Sequence, residues 1–354
     1  NQGIKRHEKR LMNLQRFAKA SLGFFPTPVV ELPKLSGILD GPSIFMKRDD
    51  QTGLALGGNK TRKLEYLLGD ALTKGCDAII TAGAAQSNHC RQTAAAAAKL
   101  GIECHLLLGG ESSDEPQGNL LLDRIFGCHI HWTKEHRKGE DIEQICAQLK
   151  VARRQPYIVP YGGSNELGAI AFAAAASELH QQCGERAFTH IVFASSSGGT
   201  QAGLMLGKQM LGERYQLVGI RIDKDDADHD AFEHKVLSLA NRTAALVNCN
   251  HEFSARELIL NSRYLGAGYG VIGELEREAI LLTARTEGIL LDPVYTGRAM
   301  GGMIDMIRTG ELGRQDKVLF WHTGGAPAIF AYAAELGFSQ DPAGKSPLND
   351  DYPR

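Results

Sequence analysis

The sequence predicts an α/β fold of two domains, with mainly parallel twisted sheets flanked by helices. Three observations predict it. Short apolar runs alternate with longer helical stretches along the chain, the pattern of strand–helix units around parallel sheets. Several of those runs are nearly continuous Val, Ile and Leu, as expected for strands buried on both faces. The length of 354 residues is more than one domain ordinarily needs.

Taken in order, residues 6–20 read as a helix on the outside of the protein. Strands are predicted over 43–47, 78–81, 104–108, 157–159, 191–194, 217–222 and 318–321. An alanine-rich helix covers 91–100 and stops at Gly101, a good C-cap. Further helices cover 167–179 and 201–211. Residues 61–174 hold their own set of strand–helix units and read as a smaller inserted α/β domain. Residues 1–60 and 175–338 then form a larger, cofactor-binding domain. A cleft between two domains is a common ligand site. The tail, 339–354, is polar with three prolines and is expected to be loosely ordered.

Composition removes several classes of function. Hydrophobic residues make up 43% and charged residues 23%, so the chain reads as globular. The net charge of −2 gives no basic excess for nucleic acid. Lys5, Arg6, Lys9 and Arg10 read as a solvated helix face or a flexible arm. Cys76, Cys90, Cys104, Cys128, Cys146, Cys183 and Cys249 are scattered. They form neither a C-x-x-C pair nor a Cys/His cluster at metal-ligand spacing, so no metal site is expected. Dispersed thiols fit a reducing compartment. No signal peptide or membrane-length apolar run is seen, so a cytoplasmic protein without a membrane partner is expected.

Five segments carry candidate chemistry. In Gly57-Gly58-Asn59-Lys60, the glycines allow close backbone approach to a ligand. A desolvated Lys60 becomes a usable nucleophile or base. Lys63 reads as an ordinary surface lysine. The spacing does not fit a nucleotide P-loop, because Asn59 stands where that motif needs its lysine. Gln86-Ser87-Asn88-His89 joins a strand to the alanine-rich helix. Capping by Ser87 or Asn88 and binding of a substrate carboxylate are equally good readings there. His89 reads as a local hydrogen-bonding residue.

Ser195-Ser196-Ser197-Gly198-Gly199-Thr200 also joins a strand to a helix. It puts hydroxyls, small residues and a helix N-terminus together, and reads as a phosphate cradle. In Asp292-Pro293-Val294-Tyr295, Tyr295 could stack on a planar ring or move a proton, although packed tyrosines are commoner. In His322-Thr323-Gly324-Gly325, Thr323 could offer a neutral hydroxyl to a ring nitrogen. Together the five propose a lysine, a phosphate loop, a carboxylate loop, a ring-stacking tyrosine and a hydroxyl. Pyridoxal 5'-phosphate needs each of these.

These segments resemble those of the tryptophan-synthase-β-like (fold type II) group of pyridoxal-phosphate enzymes. Within it they are similar to the D-cysteine desulfhydrase and 1-aminocyclopropane-1-carboxylate deaminase family. The motifs lie at 57–68, 86–101, 291–305 and 322–332, and the resemblance runs from about Phe25 to about Tyr332. It implies that Lys60 carries the cofactor covalently, with Asn59 beside it. It implies that Asn88 hydrogen-bonds the ring hydroxyl, and that Ser197, Gly198, Gly199 and Thr200 hold the phosphate. Ser87, Asn88 and His89 would meet the substrate carboxylate. Tyr295 would stack near the ring and handle a proton, with Tyr269 nearby, and Thr323 would face the ring nitrogen. A homodimer is also implied.

Two positions discriminate within the family. The deaminases usually carry Tyr-Glu after Asp-Pro-Val, with the glutamate near the pyridine nitrogen, and His-Leu-Gly-Gly in the last motif. This chain has Tyr295-Thr296 and His322-Thr323-Gly324-Gly325, which resemble the desulfhydrase pattern. A neutral partner leaves the ring a weaker electron sink. That suffices when a good leaving group departs from the β carbon, whereas opening a cyclopropane asks more. The expected activity is therefore β-elimination from a small amino acid, foremost D-cysteine. The freed Lys60 amine would take the α proton, and Tyr295 or Ser87 would help sulfide leave. The alternatives are a 1-aminocyclopropane-1-carboxylate deaminase or an L-cysteate sulfo-lyase. A non-catalytic protein that binds the cofactor or an amino acid is the alternative of another class.

Overall fold

Two sheets organise the chain in the computed structural model, which describes residues 14–183, 187–224 and 229–337. The strands are β1 (Val29–Glu31), β2 (Ser43–Arg48), β3 (Ala78–Ala84), β4 (Glu103–Gly109), β5 (His129–Trp132), β6 (Pro156–Ile158), β7 (His190–Ser195), β8 (Gln216–Arg221), β9 (Ile259–Asn261) and β10 (Lys317–His322). Six form a sheet in the order β1-β2-β10-β7-β8-β9, and four form a sheet in the order β5-β4-β3-β6. Every pairing is parallel except β1 with β2. The α/β expectation therefore holds.

Among the described residues, ten α-helices with full bounds flank the sheets. They are α1 (Pro33–Leu39), α2 (Lys60–Thr73), α3 (Asn88–Leu100), α4 (Gly118–Ile125), α5 (Ile142–Val151), α6 (Glu166–Cys183), α7 (Gly199–Leu211), α8 (His229–Leu246), α9 (Glu274–Glu287) and α10 (Thr296–Arg308). One face of the six-stranded sheet packs on Phe172 of α6, Leu204 of α7 and Val236 of α8. The other packs on Leu35 of α1, Ile280 of α9 and Met303 of α10. The four-stranded sheet is covered on one side by α2 and α3 (Leu64, Leu67, Ala94) and on the other by α5 (Ile142, Cys146). Each helix buries an apolar stripe, and burial of that stripe stabilises it more than propensity does. Phe172 is fully buried, and its truncation to alanine would cost about 3–5 kcal/mol.

The seven predicted strands are present, within one to three residues at their ends. The three that sequence reasoning missed, β1, β5 and β9, are all edge strands. An edge strand is flanked on one side only, so it does not need the unbroken apolar run that marks a central one. The predicted N-terminal helix falls mainly outside the described residues. Its described part is helical only at 14–15, and 18–20 form no regular element. The polar tail and the basic residues at 5–10 lie outside the described residues. A domain boundary at 174 falls inside α6, whose Ala169–Leu179 stretch belongs to the first core throughout. All seven cysteines are free thiols. Among the described residues, no helix is long and apolar enough to cross a membrane.

Candidate active site

The loops that follow β3, β7 and β10 and the start of α2 converge on one pocket, at the carboxyl ends of parallel strands in both sheets. Lining it are Asn59, Lys60, Ser87, Asn88, His89, Tyr161, Ser195 to Gly198, Thr200, Tyr295 and Thr323. Alpha/beta folds place ligands at such strand ends.

Lys60 is the first residue of α2. Its Nζ donates to the carbonyl of Gly162 at 3.1 Å. Burial without a carboxylate partner lowers its pKa to about 8. The position of α2 is set by buried ion pairs two residues later. Arg62 donates to both oxygens of Asp49 at 2.8 Å, and to Glu178 of α6 at 2.8 and 2.9 Å. Trp321 Nε1 of β10 donates to the same Asp49 at 2.8 Å. Asn59 ties further loops together, its N–H to the carbonyl of Thr323 and its side chain to Thr200 Oγ1. Gly57 and Gly58 do not line the pocket, contrary to the expectation that they let a ligand approach. Gly57 has φ +74°, and a Cβ there would stand 1.8 Å from the carbonyl oxygen of Asp50. The pair serves the turn rather than the ligand.

Ser87 is the N-cap of α3, and its Oγ accepts from the N–H of Cys90 at 3.2 Å. Asn88 Oδ1 accepts from Asn119 at 2.9 Å and from Arg91 at 3.4 Å. Those two donors fix the amide so that its NH2 is left for the pocket. His89 Nε2 pairs with Thr81 Oγ1 at 2.8 Å. That hydroxyl donates to the carbonyl of Val159, so it accepts from the ring. His89 Nδ1 is buried without a partner. Burial, then Lys60 and Lys63, hold its pKa well below the usual range, so the ring is neutral.

The glycine loop after β7 enters α7, which has no side-chain cap. Gly199 N–H donates to Ser164 Oγ at 3.2 Å, and the N–H groups that follow, of Thr200 and Gln201, are available to an anion. Ser195 Oγ turns to Gln201 at 2.6 Å, while Ser197 Oγ meets Ser164 Oγ at 2.7 Å. Lys63 corrects a sequence expectation, because it is fully buried rather than on the surface. Its Nζ donates to Gly162 O and Ser164 Oγ, both at 3.1 Å, directly behind this loop.

Tyr295 and Tyr269 meet through their hydroxyls at 2.6 Å with rings at 75°. Burial pushes both phenols well above the usual range. Tyr269 reaches the pocket through Tyr295 and does not line it directly. Arg137 spans the same corner. It donates to Tyr161 Oη at 2.9 Å and Asp223 at 3.0 Å, and lies 4.3 Å from the centre of the Tyr269 ring. Thr296 turns away from the pocket: its hydroxyl donates to Asp292 Oδ1 at 2.7 Å. Of the two discriminating threonines, Thr323 alone lines the pocket. His322 is a buried turn residue, donating through Nε2 to the carbonyl of Leu290 at 3.0 Å.

The donor set fits pyridoxal phosphate. The cradle is one that a Cβ would fill: at Gly199 it would stand 2.6 Å from Ser164 Oγ and 3.0 Å from Lys63 Nζ. At Gly162 it would stand 2.4 Å from Ser197 Oγ. The orphaned His89 Nδ1 supplies an unused acceptor in the same space. Sequence reasoning missed Lys63, Tyr161, Gly162, Ser164 and Arg137. For Lys63, its i+3 spacing from Lys60 on a helix was a usable signal. The others lie in loops with no local signature.

Comparison with known proteins agrees. Residues 20–324 match the family described as pyridoxal-phosphate dependent enzyme. The D-cysteine desulfhydrase of Klebsiella pneumoniae is 43% identical over 333 residues, covering 92% of this chain and 99% of that protein. A crystal structure of an ACC deaminase homologue is 40% identical, with a TM-score of 0.85, over 93% of this chain and 98% of that one. A fungal L-serine ammonia-lyase from Rhizomucor miehei is similar in fold alone, at 17% identity and a TM-score of 0.64 over 88% and 96%. The chain belongs to the pyridoxal-phosphate dependent enzyme family and has its tryptophan-synthase-β-like, fold type II architecture.

Proposed function

We propose that the chain eliminates sulfide from D-cysteine, giving pyruvate and ammonia after hydrolysis of the released enamine. The observation that carries this reading is a pocket that seats Lys60 beside neutral donors only. Among the described residues no aspartate or glutamate lines it, and Thr323, which does, would be the neutral partner of the ring nitrogen. The 43% identity to a D-cysteine desulfhydrase supports it.

Bound to Lys60, the pyridoxal ring supplies an electron sink for charge at the substrate α carbon. Lys60 Nζ, whose pKa burial lowers to about 8 so that a usable fraction is neutral near pH 7, takes the α proton as general base. The start of α3 holds the substrate carboxylate through Ser87 Oγ and the backbone N–H groups of Asn88 and His89. Asn88 donates its NH2 to the ring hydroxyl. Ser197, Gly198, Gly199 and Thr200 hold the phosphate at the N-terminus of α7, and buried Lys63 offsets its charge from behind. Tyr295, hydrogen-bonded to Tyr269, gives the departing sulfur its proton, with Ser87 as the second candidate donor. With water counted, D-cysteine becomes pyruvate, hydrogen sulfide and ammonia. We also propose that 61–174 acts as the smaller lobe over this site, and that the enzyme works as a cytoplasmic homodimer.

A second reading, deamination of 1-aminocyclopropane-1-carboxylate, is favoured by the likeness to the ACC deaminase homologue. One assay separates them. Cofactor-loaded protein is given D-cysteine, L-cysteine or the cyclopropane amino acid, and sulfide and 2-oxo acid are measured. Sulfide and pyruvate from D-cysteine alone are expected. Release of 2-oxobutanoate without sulfide would replace the proposal with the second reading.

A further inference from the structure

Away from the pocket, the edge of the four-stranded sheet carries a cluster of nitrogen and oxygen donors. Glu103 and His105 are two residues apart on β4, and His129 and His131 are two apart on β5. Residues two apart on a strand project from the same face. The parallel register pairs His105 with His129 and Leu107 with His131, so all four project together. The rings of His105 and His129 stack with centres 4.7 Å apart. One ligand atom each from Glu103, His105 and His129 lies within 4.8 Å of the others. Glu103 Oε1 is 2.8 Å from His105 Nε2 and 3.6 Å from His129 Nε2. Tetrahedral zinc, with bonds of about 2.0–2.1 Å, needs ligand atoms roughly 3.3 Å apart. Both contacts of Glu103 Oε1 already stand near that spacing.

We propose that Glu103, His105 and His129 form a binding site for one divalent transition-metal ion of the zinc type, open to solvent at its remaining position. The surrounding groups prepare it. His131 Nε2 meets His105 Nδ1 at 3.0 Å, the outer partner that holds a ligating imidazole in one tautomer. Arg154 grips Oε2 of Glu103 and leaves Oε1 for the ion. The same arginine is shared with Asp77 at 3.2 Å, which offsets part of its charge. Two imidazoles and a carboxylate suit zinc, nickel or copper rather than magnesium or calcium. None of the four residues lines the catalytic pocket, so the ion would tie the edge strand β5 to β4 and leave catalysis alone. Sequence spacing concealed this site, because His129 lies 24 residues beyond His105 and reaches it only through strand pairing.

The test uses full-length, cofactor-loaded protein, stripped with a chelator, dialysed and kept reduced. Titration with zinc chloride should show one site of micromolar or tighter affinity. His129 is 59% exposed, so His129→Ala should fold normally and weaken that site at least about 10-fold. Glu103→Gln should weaken it similarly. His131→Ala should weaken it about 10-fold through its loss of hold on His105. Turnover should be unchanged in all three. Copper-loaded wild type should show coupling to two imidazole nitrogens by electron paramagnetic resonance, and His129→Ala to fewer. No uptake at 100-fold lower affinity than micromolar (roughly 100 μM zinc), or equal uptake by wild type and His129→Ala, would overturn the site.

Discussion

Within the first turn of α2, Lys60 and Lys63 both donate to the carbonyl of Gly162, while Arg62 lies between Asp49 and Glu178. Arg62 and Lys63 are buried and Lys60 is half-buried at the pocket, and in all three desolvation is the largest influence on the pKa. For the lysines nothing anionic answers it, and their pKa values fall, that of Lys60 to about 8. For Arg62 two carboxylates answer it, and its pKa rises. Lys47 shows how finely this balances: it too pairs with Glu178, yet burial still lowers its pKa. One helix turn thus carries a reactive amine and the fixed ion pairs that aim it. The difference lies in the counterions, not in depth of burial.

Removing the reactive side of this contrast should have the largest effect. Lys60→Ala should lower kcat by at least about 10³-fold. It should also abolish the visible absorbance of cofactor attached to the lysine, read in the same sample. Removing the fixed side should act on stability instead. Arg62→Met leaves Asp49 buried without its partner, at about 3–5 kcal/mol in urea unfolding. If Arg62→Met leaves stability intact but abolishes turnover, the ion pairs are not what holds α2 in place.

Acid should probe the fixed side without mutation. Arg62 holds Glu178 down to about 2 in the folded state. Its contribution is present above the unfolded value near 4.5 and is lost as pH falls from there toward 2. Over that window stability should drop by on the order of 3 kcal/mol more in wild type than in Glu178→Gln. Tyr295→Phe should lower kcat about 10²-fold with cofactor still bound. An equal loss of cofactor affinity would make Tyr295 a stacking residue only. The smallest effect is the titration of Lys60 itself. Apo protein should take up pyridoxal phosphate about tenfold faster at pH 9 than at pH 7, because a neutral amine is the attacking form. A flat profile would mean that Lys60 titrates well away from 8.

Much of this was legible before the fold was known. Central strands announced themselves as Val/Ile/Leu runs, whereas β5 reads His-Ile-His-Trp and gave no such signal. Ser87, Asn88 and Ser197 were found because each sits where a strand meets a helix through small or polar residues, and Lys60 and Tyr295 because each stands in a turn marked by glycine or proline just before a helix. Thr296 misled for the opposite reason. Its neighbour in sequence faces the pocket, but its own hydroxyl is taken up by the Asp292 turn.

The sequence by itself determined what is local: the alternation of strands and helices, the N-cap at Ser87, the uncapped glycine entry to α7 and the presence of a lysine at 60. Tertiary structure alone decided which cations have counterions. It buried Lys63 behind the phosphate loop, brought Arg137 to Tyr161 and Asp223, and set Glu103 and His105 against His129. Those outcomes depend on groups from separate elements meeting in a medium of low polarity. There the energy of a charge is fixed by its spatial neighbours and not by its neighbours in the chain.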